Sequence, residues 1–128
     1  MLRRISVWVV ALLCFCSAAA AQTGKAADVL GTWEGESICT VQPSACHDEH
    51  VIYEITQAAN NKLKMSADKV VNRERQNMGD LDCTYDGKTL ACPIPRGTWA
   101  FDIRGTKMTG TLKLPDGTLF RKVDAKKK

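Results

Sequence analysis

The chain is predicted to fold as an all-β, eight-stranded antiparallel up-and-down barrel carrying two disulfides. Three observations predict it. Beyond residue 21, no segment has an apolar stripe of helical period; short alternating runs between turn residues dominate instead. Eight such runs follow one another with short links, and a sheet of this kind, with no covering helix, closes on itself and loses its exposed edges. The first 21 residues also read as an export signal, which places the four cysteines that follow in an oxidising compartment. An open sandwich is the other arrangement open to the same strands.

The export signal comes first in the chain. Arg3 and Arg4 form its charged start, Ile5 to Cys16 its apolar run, and Ala19-Ala20-Ala21 its cleavage site before Gln22. The apolar run is too short for a stable membrane span. Neither Cys14 nor Cys16 follows a small residue, as a lipoprotein signal requires, and Ser6 sits where a twin-arginine signal has a strong hydrophobe. A general secretory signal and a product in the periplasm or the medium are expected, with no stable membrane insertion after cleavage. Removing 21 of 128 residues leaves 107, enough for one domain. The expected divisions are the signal at 1–21, a flexible arm at 22–30, the barrel at 31–124 and a basic tail at 125–128.

The charge is unremarkable once the signal is set aside. Losing Arg3 and Arg4 takes 18 basic side chains to 16 against 14 acidic ones, a net +2. Three of those 16 are Lys126, Lys127 and Lys128, so the body is near −1. A nucleic-acid binder needs a basic face, and none is expected here.

The strands are placed at about 31–39, 50–58, 62–71, 77–86, 89–95, 97–104, 107–114 and 118–124. Asn60-Asn61, Asp86-Gly87, Gly105 and Pro115-Asp116-Gly117 separate them as turn residues. Alternation names the inner face: Val51, Tyr53 and Ile55; Leu63, Met65 and Ala67; Leu81, Cys83 and Tyr85; Leu90, Cys92 and Ile94. Trp99, Phe101 and Ile103 follow, then Met108, Gly110, Leu112 and Leu114. Glu54, Asp80, Asp82, Asp102, Thr109, Thr111 and Lys113 take the outer face, the pattern of one-sided burial.

Cys39, Cys46, Cys83 and Cys92 allow three connectivities. A two-residue turn at Gly87-Lys88 would set Tyr85 against Leu90, Cys83 against Cys92 and Leu81 against Ile94, so that every inward residue meets an inward one. The two cysteines would then share a non-hydrogen-bonded pair, where strands come closest. A turn at Asp86-Gly87 would break that match. The favoured bridges are therefore Cys83–Cys92, in the barrel wall, and Cys39–Cys46, around the loop of Pro43 and Ser44.

The opening Gly31-Thr32-Trp33 of the first strand resembles the G-x-W that starts the barrel in calycins such as lipocalins and avidins. In that superfamily a basic residue from the end of the barrel packs over the tryptophan. The resemblance implies Trp33 and Arg121 as the closing pair, and a small-molecule carrier as the function. A weaker resemblance runs to periplasmic inhibitors of secreted metalloproteases, small exported barrels that insert an N-terminal arm into the protease cleft. It would make Gln22–Leu30 the inhibitory arm, although the Ser-Ser-Leu start of those arms is absent.

Catalysis finds no support in the sequence. Ser37, Ser44 and Ser66 lie in no nucleophile motif. Asp80 and Asp82 fall on an outer face, Arg73, Glu74 and Arg75 read as an exposed turn at 72–76, and no Gly-rich phosphate loop is present. Cys46-His47-Asp48-Glu49-His50 is the densest polar cluster, but His-x-x-His on a strand points its rings to opposite faces, so the segment reads as a solvated loop and not as a metal site. No cofactor, metal or catalytic residue is expected. The remaining candidates are Tyr53, Met65, Tyr85, Trp99, Phe101 and Met108, which point inward and either line a ligand pocket or fill the barrel. The expected function is non-enzymatic binding of a small apolar ligand or surface partner by a monomer, the alternative being inhibition of a secreted protease.

Overall fold

The eight alternating runs form eight strands, each hydrogen-bonded to the next, with the last paired to the first in a closed antiparallel barrel. This computed structural model describes residues 25–41 and 45–128; the expected signal at 1–21, residues 22–24 of the expected arm, and Gln42, Pro43 and Ser44 lie outside them. The strands are β1 (Gly31–Cys39), β2 (Glu49–Gln57), β3 (Leu63–Val71), β4 (Glu74–Tyr85), β5 (Thr89–Ile94), β6 (Gly97–Arg104), β7 (Lys107–Lys113) and β8 (Leu119–Lys127). A 3₁₀ turn, Ala26–Asp28, precedes β1.

The inward residues of the alternating runs make one continuous core. Val51, Tyr53, Ile55, Leu63, Met65, Cys83, Leu90, Cys92, Phe101 and Met108 are all buried in it. Between β4 and β5, Tyr85 pairs with Leu90 and Thr84 with Ala91, the register of a turn at Gly87-Lys88. The same register brings the Cα atoms of Cys83 and Cys92 to 4.3 Å, and they are joined. The second bridge is Cys39–Cys46.

Three boundaries differ from expectation. β4 starts at Glu74, not 77, because Asn72 (φ 52°) and Arg73 (φ 68°) make a tight left-handed turn that lets Val71 pair with Glu74. Arg75, expected in an exposed connection, is instead on the strand, 2.8 Å from Asp68 and 3.3 Å from Glu54. At the other end of the chain, the residues expected as a basic tail are mostly strand. Lys126 pairs with Glu34 and Lys127 with Trp33 across the β1–β8 seam, and the Lys128 amide donates to the Thr32 carbonyl at 2.9 Å. Closure is the reason: a barrel needs its last strand to run the length of its first.

The expected flexible arm is the third difference. Lys25–Leu30 closes one end of the barrel: Val29 is 0% exposed, and its carbonyl accepts a hydrogen bond from Trp33 Nε1 at 2.9 Å. Lys127 Nζ donates to the Asp28 carbonyl at 2.9 Å and lies 5.8 Å from the centre of the Trp33 ring, within cation–π range. The basic residue over the tryptophan is thus Lys127, not Arg121. Arg121 is opposite Cys39 in the β1–β8 ladder, six residues along from the pair at Trp33, or about 20 Å at the rise of a strand.

Candidate functional site

With one end plugged by Val29, Trp33 and Lys127, the other end can admit a molecule. Here the chain supplies a half-open cavity of about 390 Å³, within the range of small-molecule sites. Its wall is mostly apolar: Val51 and Tyr53 of β2, Met65 and Ala67 of β3, Leu81 of β4, Ile94 of β5, and Trp99 and Phe101 of β6. Period-two alternation delivers each of these to the inner face. Phe101 is the shared ring of an aromatic group, with Trp99 nearly parallel to it at 5.5 Å between centroids and Tyr53 edge-on at 5.7 Å.

Four of the six side chains expected to line a pocket do so: Tyr53, Met65, Trp99 and Phe101. The other two do not. Met108 is fully buried in the core, and Tyr85 is partly buried against it. Burial, and then the charge of Asp28, raise the Tyr85 hydroxyl above the usual tyrosine range, which places Tyr85 near the plugged end.

The polar side of the cavity was not legible as a site. Glu49 continues the inward series of β2 and faces the cavity, together with Ser37 of β1 and Arg121 of β8. The alternation back from Val51 holds this signal for Glu49, but the surrounding charged run reads as a solvated loop. Arg121 Nη1 donates to Ser37 Oγ at 3.1 Å and lies 3.6 Å from Glu49 Oε2; Nη2 donates to the His47 carbonyl at 3.0 Å. Ser37, whose residue is buried, is therefore an acceptor for the guanidinium. The Tyr53 hydroxyl has its pKa raised by burial and by the Glu49 charge, with Arg121 opposing, so it remains protonated at neutral pH.

The mouth is shaped by a β-bulge. Ala67 pairs with Gly79 and Asp68 with Asn77, leaving Met78 as the extra residue of β4. Gly79 adopts φ 121°, a conformation costly for any side chain. Asn77 holds the bulge: its Oδ1 accepts from the Gly79 amide at 3.0 Å, and its Nδ2 donates to Asp68 Oδ1 at 2.8 Å. The result is that Met78 lines the cavity while 45% exposed. Bulges commonly re-aim a side chain in this way beside binding sites, and methionine adapts well to varied apolar partners.

His50 lies apart from this cavity. It is on the outer face, with Nδ1 2.6 Å from Glu36 and Nε2 2.8 Å from Glu34, while Lys128 Nζ is 2.8 Å from Glu34. Hydrogen bonds that the His50 ring donates to Glu36 first and Glu34 second raise its pKa above the ordinary value. Lys128 first, and His50 second, lower that of Glu34 to about 2. A raised histidine contributes stability fully below about pH 6.5 and loses it as pH rises through the folded value. His50→Gln should therefore flatten the decline in stability above pH 6.5, by a small amount because the group is more than a third exposed. Urea midpoints of both proteins across pH 5.5 to 8.5 would check this, and parallel curves would refute it.

Comparison with known proteins finds no matching family model, no matching curated protein and no matching solved structure. The class the fold and cavity define is a closed eight-stranded antiparallel barrel, plugged at one end and hollow at the other, consistent with a calycin-like architecture. Two disulfides fit an oxidising compartment. Among the described residues, no helix is long and apolar enough to cross a membrane.

Proposed function

We propose that this is an exported, non-enzymatic binding protein that uses its barrel as lipocalins do, holding a small, mainly apolar molecule in the open end. The observation that carries this reading is the cavity of about 390 Å³ walled by Tyr53, Met65, Trp99 and Phe101. A core that merely filled the barrel would leave no such space between these side chains. The periplasm or the medium is the proposed location, from the charged and apolar pattern of residues 1–21 and the two disulfides. The competing reading, a protease inhibitor acting through 22–30, would require Lys25–Leu30 to leave the barrel. That exposes the Val29 side chain, at a cost of about 1.5–3 kcal/mol, and breaks the hydrogen bond from Trp33 to its carbonyl.

Native mass spectrometry of protein from its own host should reveal a bound small molecule. In vitro, an apolar fluorescent probe should be taken up, and Ala67→Phe, which fills the cavity from β3, should weaken that uptake at least about tenfold while preserving the circular dichroism of the barrel. A clean apo mass with no probe uptake by either protein would end the carrier reading.

A further inference from the structure

The cavity's polar side constrains what a ligand can look like. It presents three groups of different character. The Arg121 guanidinium donates, yet its contact with Glu49 is a 3.6 Å ion pair and not a hydrogen bond. The Glu49 carboxylate accepts and has no side-chain hydrogen-bond partner among the described residues. Tyr53 is 4% exposed, and its hydroxyl likewise has no hydrogen-bond partner among the described residues. That hydroxyl is also not sealed from solvent, since among the described residues no fully buried side-chain N or O is left without a partner. It therefore reaches the cavity that Tyr53 lines. A tyrosine hydroxyl so deep in a protein ordinarily has a partner, and the ligand can supply it.

Resting on the carrier reading, we infer that the cavity takes an uncharged aromatic ligand whose single polar head both donates and accepts hydrogen bonds, as a primary carboxamide does. The aromatic body follows from Trp99, which stacks on Phe101 and remains only partly buried where it lines the cavity. The head follows from charge. A carboxylate would gain from Arg121 but face Glu49 at close range; an ammonium would gain from Glu49 but face Arg121. Both groups are mostly shielded from water, where such repulsion is poorly screened. A neutral head can donate to Glu49 and accept from Tyr53 or Arg121 with no like-charge contact.

Four probes with one aromatic body separate these cases: naphthaleneacetamide, naphthaleneacetate, naphthylmethylamine and methylnaphthalene, titrated calorimetrically near pH 7 into the full mature chain. The amide should bind at least about tenfold more tightly than the acetate or the amine, and more tightly than methylnaphthalene. Tyr53→Phe should weaken the amide several-fold but not methylnaphthalene, which offers the hydroxyl no partner, so the amide's advantage over methylnaphthalene shrinks. Glu49→Gln should narrow the gap between acetate and amide by about tenfold. Tightest binding of the acetate or the amine, or ratios unmoved by both substitutions, would overturn the inference. Equal binding of all four overturns the head assignment alone. If none binds, methylnaphthalene included, the carrier reading falls with it.

Discussion

Trp33→Ala should destabilise the barrel by about 3–5 kcal/mol, a large part of the 5–15 kcal/mol typical of a domain this size. The effect has three sources in one place. The indole is fully buried, so its removal leaves a cavity at the plugged end. Its Nε1–H no longer satisfies the Val29 carbonyl, which frees the plug. The ring also stops supporting Lys127, whose Nζ bonds the Asp28 carbonyl beside it. Both ends of the folded domain are tied through this side chain, so the loss should appear as early protease cleavage near 25–30 as well as a lower urea midpoint. Trp33→Phe keeps most of the bulk and loses the donor, and it should cost clearly less. Equal losses for the two variants would mean that the hydrogen bond, and not the packing, dominates. A loss below about 1 kcal/mol for the alanine variant would contradict the plug altogether.

The second large effect concerns the disulfides. Replacing Cys83 and Cys92 with alanine should cost about 2–5 kcal/mol, and more than the same change at Cys39 and Cys46. The two loops are of similar length, with separations of 9 and 7 residues, so loop entropy alone does not distinguish them. Burial does. Cys83 and Cys92 are 1% and 0% exposed within the core, whereas Cys39 and Cys46 are only partly buried at the open end. Removing sulfur from the core leaves a void as well as a longer free chain. Mild reductant should accordingly open Cys39–Cys46 first, and Cys83–Cys92 only as the barrel loosens. Peptide mapping after partial reduction and alkylation would establish the order. Release of Cys83 and Cys92 first would show that the wall opens more readily than the loop.

Opening of Cys39–Cys46 should also reach the cavity. That bridge and the hydrogen bond from the Cys39 amide to Asp48 Oδ1 at 2.8 Å set the loop that carries the His47 carbonyl. His47 in turn accepts from Arg121, on the polar side of the site.

What the sequence determined by itself was everything that depends on local period and turn chemistry. Alternation in Val51–Ile55, Leu63–Ala67 and Trp99–Ile103 assigns the inner face, because successive side chains on a strand point to opposite sides. The turn at Gly87-Lys88 sets the register that joins Cys83 to Cys92, since a one-residue slip would turn one strand inside out relative to its partner. What only the tertiary structure decided depends on where the barrel closes. The basic residue over Trp33 is Lys127 and not Arg121 because the β1–β8 register, between elements some 90 residues apart in sequence, carries no local signal. Residues 25–30 read as an arm because a single 3₁₀ turn lacks periodicity, yet the open barrel end offers Val29 apolar surface to bury. The bulge at Met78 likewise needs a partner strand to exist at all. Glu49 and Arg121 meet only because closure folds the first and last strands together, and so the polar side of the cavity is a property of the closed barrel and not of any segment of the chain.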